Sequence, residues 1–122
     1  MIVSAWSMIP ISERRSIVKK HLQNAVEYAK SEGGRVFLSE KGTDFTSLLG
    51  EVIGEYSETV HMQVEYSDDI LSKVGSDMIH SRRPTDVVRS YMTDKADLVI
   101  IFEPKDSIAI RGLPKTTLRI KI

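Results

Sequence analysis

The spacing of apolar positions changes several times along the chain, and each change marks an element. "MIVSAW" opens on a short apolar run with a β-branched pair, the pattern of a strand. Behind Ser12, the residues Ile17, Val18, Leu22, Ala25, Val26 and Ala29 recur at helical spacing, which predicts a helix with one buried stripe that stops at "EGG", residues 32–34. "RVFLS" reads as a second strand. Phe45, Leu48, Leu49, Val52, Ile53 and Tyr56 then predict a second helix, capped by Thr43 or Asp44. In "ETVHMQVEY" the residues Val60, Met62, Val64 and Tyr66 alternate with Thr59, His61, Gln63 and Glu65, the period of a strand with one wet face and so an edge strand.

The second half continues the alternation. Ile70, Leu71, Val74, Met78 and Ile79 fit a helix interrupted near Gly75, and Pro84 fits the first turn of another, with Val87, Val88, Tyr91 and Met92 facing inward. The unbroken "LVIIF" of "DLVIIFEP" predicts a strand buried on both faces in the middle of a parallel sheet. After Pro104 the short runs "SIAI" and "TTLRIKI", separated only by "RGLPK", predict a terminal hairpin or a strand and its return. The expected fold is α/β: a single Rossmann-like three-layer domain over residues 1–122, with a mostly parallel sheet, helices on both faces and a β-rich C-terminal tail.

Composition narrows the function classes. With 17 basic and 17 acidic residues the formal net charge is zero, so no global field draws the chain to nucleic acid or to an anionic membrane, and any polyanion contact must be local. Without cysteine there is no disulfide, thiolate metal site or cysteine nucleophile, which fits a reducing compartment and makes the cytoplasm the expected location. No window reaches the roughly 18 to 20 apolar residues that span a bilayer, and "MIVSAWSMIPISERR" lacks the order of a signal peptide. The three histidines are scattered without metal-ligand spacing, so no metal site is assigned.

In an open parallel sheet, ligands bind beyond the carboxyl ends of the strands. That rule selects "SAWSMIP", "SEKGTD" and "EPKDS". "SEKGTD" has the chemistry of a phosphate cradle: Gly42 allows close backbone approach, the amides from Thr43 onward sit at a helix start, and Lys41 and the Thr43 hydroxyl add donors. The alternative is an ordinary turn and cap. There is no Walker pattern and no GxGxxG, which disfavours a nucleoside triphosphatase or a dinucleotide oxidoreductase. Trp6 could stack on a base or pack in the core, Ser4 and Ser7 could donate to a ligand, and no GxSxG marks either as a nucleophile. Glu40 and Glu103, each behind a strand, could face one another as a carboxylate pair, or serve only turns and solubility. His80, Arg82 and Arg83 form a small basic cluster that could grip phosphate or nucleic acid, the latter not favoured, or lie solvated.

From residue 35 to 104 the chain resembles the layout of the SLOG superfamily, which includes LOG-type nucleotide hydrolases, DprA-like DNA-processing proteins and YspA-like nucleotide sensors. The matching pieces are Gly42, Thr43 and Asp44 behind a strand, then Arg89 and Ser90 on a helix, then the strand from Ala96 to Phe102. Ser39 and Glu40 stand where that family carries glycines, Ser90 stands for its asparagine, and no PGGxGT follows the last strand. The resemblance therefore implies nucleotide recognition more than hydrolysis. The expected function is a non-catalytic domain that binds or senses a nucleotide or nucleotide derivative, with phosphate over Lys41, Gly42, Thr43 and Asp44, Arg89 as counter-charge and Ser7 as a donor. No catalytic residue or cofactor is assigned. Two alternatives stay open: a hydrolase using Glu40 or Glu103, and an assembly module or homodimer pairing through strand 59–66 or "TLRIKI".

Overall fold

The computed structural model describes residues 1–56, 58–73, 84–106 and 116–122. The helix interruption near Gly75, the cluster of His80, Arg82 and Arg83, and the "SIAI" run lie outside the described residues. In chain order the elements are β1 (Ile2–Ser7), α1 (Arg15–Ser31), β2 (Val36–Glu40), α2 (Asp44–Gly54), β3 (His61–Glu65), α3 (Ser67–Lys73), α4 (Pro84–Lys95), β4 (Leu98–Glu103) and β5 (Thr116–Lys121). The strands form one five-stranded sheet in the order β3-β2-β1-β4-β5, with every pairing parallel.

Apolar alternation on the strands sorts the helices into two layers. Val3, Ala5, Phe37, Ile100 and Phe102 point to one face, where they meet the α1 stripe of Val18, Leu22, Val26 and Ala29 and the α2 residues Leu48, Leu49 and Val52. Trp6, Leu38, Val99 and Ile101 point to the other, against Ile70 of α3 and Val88 and Met92 of α4. A hydrogen bond of 2.7 Å from the Ser4 hydroxyl to the Met92 carbonyl fixes α4 over β1. All six residues of β4 are buried, as its unbroken apolar run predicts. β3 lies at an edge, also as predicted.

β5 runs parallel to β4, from Leu98↔Thr116 to Glu103↔Lys121, while the "SIAI" half of the expected hairpin lies outside the described residues. One expectation is corrected. Ile17 is not part of the α1 stripe, and 53% of it is exposed. It precedes Val18 by one residue and so stands roughly 100° around the helix from the core.

The end of α1 shows why the "EGG" stop works. The amide of Gly33 bonds the Lys30 carbonyl at 3.1 Å and that of Gly34 bonds the Ala29 carbonyl at 2.7 Å, the two-bond Schellman closure, with Gly33 at φ +97. Gly34 is needed for a different reason. A Cβ there would lie 2.8 Å from the Ala29 carbonyl oxygen and 2.9 Å from Val3 Cγ2, whereas one on Gly33 meets nothing. Gly33→Ala is therefore expected to cost about 1 kcal/mol of left-handed backbone strain. Gly34→Ala is expected to cost about 2 kcal/mol or more, because α1 must shift off β1. Urea unfolding of both variants checks this order.

Candidate functional site

The carboxyl edge of the sheet gathers the loops after β1, β2 and β4, and each loop organises its polar groups differently. At the β2–α2 corner Gly42 takes φ +91, a conformation that suits glycine. Thr43 caps α2: its Oγ1 accepts the Thr46 amide at 3.1 Å and lies 2.7 Å from the Thr46 hydroxyl. Thr46 donates to the Glu40 carbonyl, which leaves its lone pairs to accept from Thr43 and from Ser39, whose Oγ is 2.7 Å away. Ser39 and Thr46 are buried. The hydroxyls of this corner thus close on one another. Lys41 leans toward β3, with its ammonium 4.6 Å over the Tyr66 ring and donating to the phenol oxygen at 3.2 Å. Asp44 stands exposed in the first turn of α2.

A second group lies on the α3/α4 side of the same edge. Arg89 of α4 donates to the Ser7 carbonyl at 3.3 Å, bracing the end of β1. The Ser7 hydroxyl accepts the Ile9 amide at 3.1 Å and donates to the Ile9 carbonyl at 2.8 Å, holding the turn that follows β1. The structure therefore brings Arg89 and Ser7 together and keeps Lys41, Gly42, Thr43 and Asp44 as a separate corner. Among the described residues no hydrogen bond joins the two groups. Glu40 and Glu103 share a sheet face, but strand β1 lies between their strands. Glu40 accepts from the Ser67 hydroxyl at 2.6 Å, and Glu103, with 0% exposure, pairs with Arg119 of β5 at 2.6 Å. Trp6 is buried in the second cluster.

A cavity lies on the α1 side, at the point where the topology reverses. From β1 the chain winds outward through β2 to β3, then returns to the other flank of β1 with β4 and β5, so the switch point lies at the carboxyl ends of the adjacent strands β1 and β4. Between them, the start of α1 and the end of β5 is the cavity, of about 930 Å³. Ile9, Pro10, Ile17 and Ile122 give it an apolar wall, and Arg14, Lys105 and Lys121 bring positive charge. Glu13 and Asp106 add carboxylates, and Ser12 and His21 complete the polar lining. Such a mixture, apolar with a few convergent polar groups, is the usual make-up of a small-molecule site.

The start of α1 differs from that of α2. Arg14 occupies its cap position with no side-chain cap bond, and the first turn holds no acid. Basic residues at the positive end of a helix are electrostatically unfavourable. Glu51 of α2 offsets Arg15 and Lys19, the latter at 3.7 Å, while Arg14 faces the cavity. At the opposite edge of the sheet, Tyr56 is raised from its ordinary value chiefly by its hydrogen bond with Glu27, and Lys95 chiefly by its hydrogen bond with Tyr91. Among the described residues, no group of three or more His, Asp or Glu is placed to hold a metal, and no helix is long and apolar enough to cross a membrane.

No family model, curated protein or solved structure matches the chain. Sequence reasoning missed Arg14, Lys105 and Lys121 as a group. The strand-end rule had picked out "SAWSMIP" and "EPKDS", the loops that flank the cavity, but nothing in the apolar pattern shows that β4 lies beside β1. Because the Thr43 hydroxyl is spent on its own helix, Thr43→Ala is expected to lower stability by about 1 kcal/mol. It should leave unchanged the affinity for any nucleotide that stabilises the wild type, as denaturant unfolding and calorimetric titration would show.

Proposed function

We propose that the chain is a non-catalytic domain that binds a phosphorylated small molecule of the nucleotide class, seated in the cavity between the ends of β1 and β4. The coincidence of that cavity with the topological switch point carries the reading, since open α/β sheets bind their ligands at that place. Arg14, Lys105 and Lys121 supply charge for the phosphate, and the wall of Ile9, Pro10 and Ile17 supplies a surface for a flat ring. Arg89 takes a positioning role here, holding the end of β1 through the Ser7 carbonyl instead of touching phosphate. The likeness to SLOG proteins in the layout of residues 35–104 belongs to the same reading. The hydrolytic alternative has less behind it, because Glu40 and Glu103 are engaged with Ser67 and Arg119.

Thermal shift against a panel of nucleotides at constant ionic strength tests the proposal. A ligand at one hundred times its Kd stabilises by about 2.7 kcal/mol, a rise of several degrees for a domain of this size. The Arg14→Ala, Lys105→Ala double variant is expected to stay folded and lose that rise. A wild-type protein that no nucleotide stabilises, or a double variant that responds fully, would sink the reading.

A further inference from the structure

α1 has two flanks beside its buried stripe, and among the described residues side-chain hydrogen bonds and ion pairs engage only one of them. Toward α2, Arg15 and Lys19 pair with Glu51, the Gln23 amide donates to Glu55 at 3.3 Å, and the Lys30 ammonium sits 5.0 Å over the Tyr56 ring. On the other flank, Arg14, Ile17, His21, Asn24, Tyr28 and Glu32 follow at intervals of three and four, so they form one row along one side of the helix. All six are exposed, Ile17 at 53% and Tyr28 at 43%. Among the described residues no side-chain hydrogen bond or ion pair ties this row to the rest of the chain. On this face of the sheet, Leu118 and Ile120 of β5 are only half-buried.

The row is complementary to itself. When two copies of α1 are laid antiparallel with a two-fold axis between residues 22 and 23, Ile17 faces Tyr28 of the second copy and His21 faces its Asn24. Arg14 then reaches Glu32 of the second copy, and each contact occurs twice, as a two-fold interface requires. The arrangement also resolves the electrostatic oddity of the helix start. Arg14 stands at the positive end of its own helix, where a cation is unfavourable, but at the negative end of an antiparallel neighbour. Glu32 undergoes the reverse exchange.

We propose that the chain forms a two-fold dimer through this flank of α1. The apolar Ile17–Tyr28 contacts are buried on either side of the axis, the His21–Asn24 pairs occupy the middle, and the Arg14–Glu32 pairs close the ends. A helix of 17 residues spans about 25 Å, and its seam is largely polar, so the interface is small and the dimer dissociates on dilution. Because Arg14, Ile17 and His21 also line the cavity, the second copy covers part of its open side.

Sedimentation velocity over a concentration series, with no nucleotide present, tests this apart from any binding activity. The wild type is expected to pass from monomer to dimer, and Ile17→Lys to remain monomeric with unchanged circular dichroism. Arg14→Glu and Glu32→Arg, each placing like charges together, are expected to weaken the dimer at least about tenfold, and combining them should restore it. The proposal is overturned by a wild type that stays monomeric at every concentration. It is equally overturned by a dimer indifferent to Ile17→Lys, or by a double variant that does not recover.

Discussion

The parallel pairing of β1 with β4 is the constraint from which the rest of this structure follows. It joins Val3 to Leu98 and continues through Ser7 and Phe102, bringing together segments from opposite ends of the chain. The ladder is extended at both ends, by the Asp97 amide on the Ile2 carbonyl at 2.8 Å and the Met8 amide on the Phe102 carbonyl at 2.8 Å. Both strands are buried from both faces, so their backbone groups have no water to fall back on and the pairing must be complete. It is also a non-local pairing, joining residues about 95 positions apart in the chain. With it in place, β2 and β3 lie on one side of β1 and β4 and β5 on the other, so the strand order diverges at this pairing.

Charge is distributed around that divergence with a consistent logic. At the β2–α2 corner, the Thr43 hydroxyl accepts the Thr46 amide, and the hydroxyls of Ser39, Thr43 and Thr46 bond one another. At the β1–α1 corner the helix begins without a side-chain cap and among cations, and the charge is left facing an opening. On the far side of the sheet, the buried Glu103 carboxylate is joined to Arg119, which ties the edge strand β5 to β4. A carboxylate held at 0% exposure needs such a partner, because its desolvation otherwise exceeds what packing returns.

Much of the fold was legible because periodicity encodes burial directly. The "LVIIF" run could be satisfied only by a strand covered on both faces, and the alternation of Met62 and Val64 with His61 and Gln63 only by an edge strand with one wet side. The cap by Thr43 and the stop at Gly33 and Gly34 followed from backbone geometry that few other residues provide. What was not legible is which strands are neighbours. Periodicity gives the faces of an element but not its position in the sheet, so the parallel placement of β5 and the meeting of Arg14 with Lys105 and Lys121 left no trace in local pattern. Ile17 was assigned to the core because it precedes Val18, and one residue of a helix is enough to turn a side chain from the interior to the surface. At Gly42 the local sequence shows the amides a phosphate cradle would use, but not that the Ser39, Thr43 and Thr46 hydroxyls bond one another.

The central claim is that the β1–β4 junction, and not the β2–α2 corner, is where this domain meets its ligand. Chemical-shift mapping of the ¹⁵N-labelled protein during titration with the best-stabilising nucleotide tests it most directly. The account predicts saturable shifts concentrated on Ile9, Arg14, Ile17 and Lys105, with Gly42 to Phe45 nearly still. Shifts centred on Gly42 to Phe45, with the loops after β1 and β4 unmoved, would contradict it.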